Sequence, residues 1–120
     1  MRRRPSSEHT VTAQTIRIRA RVHAQTGEGA GITEVQLLMP HPMETGLRHD
    51  EAGQRVPRHH ITEVKVTLGP RTVFAARLGY AVSRDPLLVF RFRDGKAGQL
   101  LRVTWTDSRG EQRNGEAVIA

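Results

Sequence analysis

From Ile16 onward apolar and polar residues alternate with a period of two, and no stretch switches to the 3.6-residue period of a helix. Ile16, Ile18, Ala20 and Val22 alternate with Arg17, Arg19, Arg21 and His23, as in a half-buried strand whose outer face is lined with arginine. A second strand is expected near 32–39, with Val35, Leu37 and Met39 on one face. A third, near 61–68, sets Val64, Val66 and Leu68 against Glu63, Lys65 and Thr67. Gly69-Pro70-Arg71 then turns the chain into a fourth near 72–78, where Phe74, Ala76 and Leu78 share a face.

Pro86 opens a fifth strand, with Leu88, Phe90 and Phe92 expected inward and Arg91 and Arg93 outward. Leu101, Val103 and Trp105 align in a sixth near 100–106; Asp107-Ser108-Arg109-Gly110 is a turn, and a last strand closes the chain near 112–119. About seven short strands with turns between them predict an all-β fold, an antiparallel immunoglobulin-like β-sandwich with one long loop at 40–60. Trp105 is expected in its core rather than on a ligand platform.

A chain of 120 residues suits one domain. That domain is expected over 15–120, after a disordered basic arm at 1–14. The opening Met1-Arg2-Arg3-Arg4 resembles the basic start of an export signal. Glu8, His9, Thr10, Thr12, Gln14 and Thr15 follow in place of an apolar segment, so no signal peptide is expected. Apolar runs fall far short of the ~20 residues that span a bilayer, so no membrane partner is expected.

The chain has no cysteine, which removes disulfides, thiolate nucleophiles, cysteine-zinc sites and covalent sulfur carriage on this polypeptide. Its formal net charge is +7, and Lys65 and Lys96 are the only lysines among its basic residues. Such a balance suits nucleic acid, an acidic protein or a membrane surface. The charges are thinly spread, however, as on solvated strand faces, and no nucleic-acid partner is expected. The Gly27–Gly31 run lacks the following helix that a phosphate loop needs and is taken as a hairpin connection.

Two places break the alternation. Pro86-Leu87-Leu88-Val89-Phe90 is apolar on both faces, so either this strand is covered on both sides or Leu87 and Val89 meet another protein. Residues 40–60 are long, without period, and shaped by prolines and glycines. Arg48, Arg55 and Arg58 there balance Glu44, Asp50 and Glu51, unlike a one-signed phosphate-binding loop. His41, His49, His59 and His60 cluster in this insert. They offer metal-ligand types without ligand spacing, so hydrogen bonds to the loop backbone or a partner surface are favoured, and no cofactor or metal is expected. Ser83 or Ser108 with these histidines makes a triad on paper only, without a nucleophile elbow or oxyanion hole, so no catalysis is expected.

The run His41-Pro42-Met43-Glu44-Thr45-Gly46-Leu47-Arg48, followed by Val56-Pro57-Arg58-His59, resembles the signature of the SoxZ family of bacterial thiosulfate oxidation. The resemblance continues through Ala81-Val82-Ser83-Arg84-Asp85-Pro86, Phe90-Arg91-Phe92, Gly95-Lys96-Ala97-Gly98 and Val103-Thr104-Trp105-Thr106-Asp107, covering residues 16–119. It implies a non-catalytic subunit of a SoxYZ sulfur carrier, paired as a heterodimer with a SoxY-like chain. That partner's C-terminal cysteine holds the sulfur intermediates, while other Sox enzymes dock transiently. It also implies a periplasmic location, reached by co-export with the partner. The partner-binding residues expected on this basis are His41, Pro42, Met43, Glu44, Thr45 and Gly46 in the insert, with Leu87 and Val89 on the fifth strand. A small basic nucleic-acid-binding β domain and a histidine-ligated metal protein remain the alternatives.

Overall fold

The computed structural model describes residues 15–23 and 31–120. The basic arm expected at 1–14 and nearly all of the Gly27–Gly31 connection lie outside the described residues. Among the described residues seven strands follow one another: β1 (Arg17–Val22), β2 (Ile32–Leu38), β3 (Ile61–Leu68), β4 (Arg71–Arg77), β5 (Leu87–Arg93), β6 (Leu100–Asp107) and β7 (Gln112–Val118). They form a three-stranded sheet in the order β1-β2-β5 and a four-stranded sheet in the order β4-β3-β6-β7, with every pairing antiparallel. This is the expected β-sandwich.

The period of two sets which face is buried. Val35 and Leu37 from one sheet meet Val64, Val66, Leu101, Val103 and Trp105 from the other, and all are buried. Each such side chain is worth roughly 1.5–3 kcal/mol of transfer from water. Arg17, Arg19, Arg21, Arg91 and Arg93 take the alternate positions and stay exposed.

The two-residue connection Gly69-Pro70 fixes where β4 goes. Gly69 adopts a φ of 59°, and Leu68 pairs directly with Arg71. A hairpin that tight leaves β4 no choice but to pair with β3. β4 therefore lies in the four-stranded sheet, whereas the fourth strand of a constant-type immunoglobulin domain joins the first sheet. The Phe74 and Phe90 rings stack 4.2 Å apart and tie β4 to β5 across that side of the sandwich. The opposite side closes where Ala120 N–H donates to Ala20 O and Val22 N–H donates to Ala120 O, each at 2.9 Å. Gly115 on β7 makes that approach possible, since a Cβ there would stand 3.2 Å from Ile16 Cβ and Ile18 Cδ1.

Among the described residues β5 pairs with β2 alone, as an edge strand, and its outward Leu87 and Val89 are 62% and 55% exposed. Of the two readings open for this doubly apolar strand, the one that covers both faces does not hold within the described chain.

Candidate functional site

Residues 40–60 leave β2 and return to β3 as a shaped excursion. Glu44 and His59 form a backbone bridge, with Glu44 N–H donating to His59 O at 2.6 Å and His59 N–H donating to Glu44 O at 3.0 Å. A second bridge joins His49 and Arg55. The tip turns at Asp50, whose Oδ1 accepts from Ala52 N–H and Gln54 N–H. Arg48 grips Glu44 through two bonds of 3.1 and 2.7 Å, which holds the Glu44 carboxyl below the usual carboxylate range. Gly46, at φ 88°, lies so close to Arg58 that a Cβ would stand 3.2 Å from that residue's Cβ.

The base of the excursion is closed by one carboxylate. Asp107 ends β6 at a position with the same parity as Leu101, Val103 and Trp105, so its side chain turns inward and is buried. A buried carboxylate needs partners. His41 Nε2 donates to Asp107 Oδ2 at 3.1 Å and His59 Nε2 donates to the same oxygen at 2.7 Å. Asp107 Oδ1 accepts the backbone N–H groups of Arg109 and Glu111 at 3.0 and 2.9 Å. Four donors thus fill the roughly four acceptor positions of the carboxylate. Burial alone would raise the Asp107 pKa, but these four bonds outweigh it and hold the carboxyl below its ordinary value.

His41 is the inner member. Its ring packs edge-on against Trp105 at 5.2 Å and against His59 at 4.5 Å. Met43 N–H donates to His41 Nδ1 at 3.0 Å, so that nitrogen carries the lone pair and Nε2 carries the proton. Burial holds the His41 pKa below its ordinary value, outweighing the Asp107 bond that favours the charged form. A second proton has no place at Nδ1 while the Met43 amide points at it.

The same proton assignment bears on metals. His41, His59 and Asp107 offer ligand atoms within 4.8 Å of one another. Coordination through His41 Nε2 in a neutral ring moves its proton to Nδ1, against the Met43 N–H. The donors therefore fit a hydrogen-bonded clamp better than a metal centre. Of the other two insert histidines, His49 sits exposed on the excursion, and His60 is held by its backbone, its N–H donating to Ser108 Oγ and its carbonyl accepting from Ser108 N–H.

The expected partner-binding residues divide in two. His41 and Met43, 3% and 5% exposed, face inward and fix the loop from beneath. Met43 holds a φ of 48°, and its Sδ accepts from Ile61 N–H at 3.3 Å, where β3 is irregular against β6. Pro42, Glu44, Thr45 and Gly46 are half-buried, while Leu87 and Val89 stand in the open. Asp107 was missed because it lies in a turn-like run; the signal available was an acidic residue on an inward strand position.

Among solved structures, a superoxide reductase (neelaredoxin) from Archaeoglobus fulgidus in the reduced form is similar with a TM-score of 0.57 at 20% identity, over 90% of each chain. A variant of that protein gives 0.55 at 17% identity, over 90% of this chain and 89% of that one. A variant superoxide reductase from Ignicoccus hospitalis gives 0.52 at 14% identity, over 89% and 81%. At these identities the likeness is one of fold. No match was found among curated protein sequences. The family model described as "Sulphur oxidation protein SoxZ" matches residues 18–118, a span that holds the clamp, its insert and every strand but the first residue of β1. By that match the chain belongs to the SoxZ family, and with it to the sulfur-oxidising Sox system.

Proposed function

We propose that this chain is the non-catalytic subunit of a periplasmic SoxYZ-type carrier. It scaffolds a SoxY-like partner whose C-terminal cysteine carries covalently bound sulfur during the oxidation of thiosulfate to sulfate. The observation that carries this reading is chemical: a member of a sulfur-oxidation family that contains no cysteine has no thiol on which to hold sulfur. What it offers instead is a fixed surface. Leu87 and Val89 project from an edge strand beside an insert whose base is rigidly clamped. Exposed apolar groups of this kind suit a stable heterodimer, whose interface buries ~2,000 Å² or more. His41 and Met43 then act from within, presenting Pro42, Glu44, Thr45 and Gly46 at a set height.

Co-expression with a SoxY-like subunit tests the assignment. A stoichiometric heterodimer on size-exclusion chromatography with light scattering, required for thiosulfate-dependent turnover by the reconstituted Sox enzymes, is the expected result. Full turnover with the partner alone, or no complex, refutes it.

A further inference from the structure

The two outer faces of the sandwich differ in charge. On the three-stranded sheet, the register places Arg17 beside Leu38 and Leu87, then Arg19 beside Gln36 and Val89, then Arg21 beside Glu34 and Arg91. Arg93 follows, opposite Ile32. Among the described residues, five arginines thus share this face with one carboxylate. Glu34 lies 3.6 Å from Arg91 and 3.5 Å from His23. Arg17, Arg19, Arg21 and Arg93 make no ion pair among the described residues. The outer face of the four-stranded sheet is mixed by comparison: Lys65, Arg77 and Arg102 stand among Glu63 and Glu116, with Arg102 and Glu116 paired at 2.6 Å.

Strand geometry makes the arginine face act as a unit. Alternate residues recur about every 6.8 Å along a strand and neighbouring strands lie about 4.8 Å apart. The cations therefore stand within about one Debye length of their neighbours at 0.1 M salt, and their fields add. The row formed by Leu38, Leu87 and, next to it, Val89 lies at the end of the sheet where β2 runs into the insert, so the apolar contact and the cationic field form one continuous face. Guanidinium groups suit this use, because they pair with carboxylates through two parallel bonds and are weakly hydrated. Arginine is also enriched at interfaces where lysine is depleted.

We propose that this whole face docks an acidic surface of the partner subunit, with an apolar spot seated on Leu38, Leu87 and Val89 and carboxylates set opposite Arg17, Arg19, Arg21, Arg91 and Arg93. The inference rests on the carrier-subunit reading and adds the partner's chemistry and the route of encounter. The arginines steer association, and the apolar row sets the lifetime of the complex.

The test measures association of this chain with its cysteine-bearing partner by stopped-flow or surface plasmon resonance at 25, 150 and 400 mM NaCl. Association is expected to slow at least tenfold across that range. The pair Arg19→Glu and Arg91→Glu is expected to slow it at least tenfold at 25 mM, while Lys65→Glu and Arg102→Glu on the opposite face leave it within twofold. Circular dichroism confirms that each variant is folded. A heterodimer that forms normally yet ignores both salt and the Arg19→Glu, Arg91→Glu pair overturns this inference and leaves the carrier assignment standing. Absence of any complex with the unaltered chain overturns both. Tighter binding of a random DNA duplex than of the partner assigns the face to nucleic acid and overturns the inference as well.

Discussion

Asp107 Oδ2 stands 3.1 Å from His41 Nε2 although 66 residues separate the two in sequence, and the bond they make is buried. Since His59 donates to the same oxygen, the bond joins the end of β6 to both roots of the insert. Asp107→Ala leaves two imidazole N–H groups and two backbone N–H groups without their acceptor, and is expected to cost about 3–5 kcal/mol in urea unfolding. Asp107→Asn replaces one oxygen with a donor facing other donors and is expected to lose most of the same stability. A loss below about 1 kcal/mol in both would refute the clamp.

Acid is expected to weaken the fold in two stages. His41 is held below its ordinary value of 6.5, so the unfolded chain takes up this proton first. Stability from this group is complete above about 6.5 and declines as pH falls from there towards the lowered value. Asp107, held below 3.8, adds a second decline as pH falls below that figure. Melting temperature measured from pH 8 to pH 3 reports both stages, and His41→Gln is expected to remove the first. A melting temperature unchanged between pH 7 and pH 5 contradicts this account.

Met43→Leu tests the sulfur acceptor. Leucine keeps the volume but offers nothing to Ile61 N–H, which Met43 Sδ serves at 3.3 Å. A loss of about 1–2 kcal/mol is expected, with Ile61 showing faster amide exchange. Unchanged exchange at Ile61 speaks against the bond.

Thr33 presents the opposite case. Its hydroxyl is buried with no hydrogen-bond partner among the described residues, so Thr33→Val is expected to raise stability by about 1 kcal/mol. Gly95→Ala, by contrast, drives a methyl group into Thr33 Oγ1 and the Phe92 ring, for a cost of about 1–3 kcal/mol. Thermal unfolding of the two variants settles both signs.

Leu87→Ser and Val89→Ser touch exposed positions and are expected to change the stability of the isolated chain by less than about 0.5 kcal/mol. On the proposed carrier assignment, the same pair is expected to weaken heterodimer formation at least tenfold, measured by titration calorimetry with a SoxY-like partner. Equal affinity in the double variant removes these residues from the interface.

The strands were legible to within a residue or so because burial on one face alone imprints a period of two on the sequence. Parity placed Ile18, Val64 and Trp105 inward and the β1 arginines outward, as the structure has them. Sheet membership was less accessible. That β4 joins β3's sheet follows from the tight turn at Gly69-Pro70, while the longer link at 78–86 carries no signal for where β5 goes. The clamp escaped notice for a related reason. Ion and hydrogen-bond partners brought together from 41, 59 and 107 leave no periodic trace, and a turn-like run hid the inward parity of Asp107. The insert's motif identified the family more surely than it showed which of its side chains face out.

Because the His41 and His59 rings lie 4.5 Å apart, the chain between them starts and finishes at nearly one point in space. Residues 42–58 are in that sense a cassette plugged into the sandwich at a single socket. Its exposed outer part, residues 47–55, is free to be exchanged by grafting without moving a strand, so long as the two imidazoles, their shared carboxylate and the buried Met43 are kept.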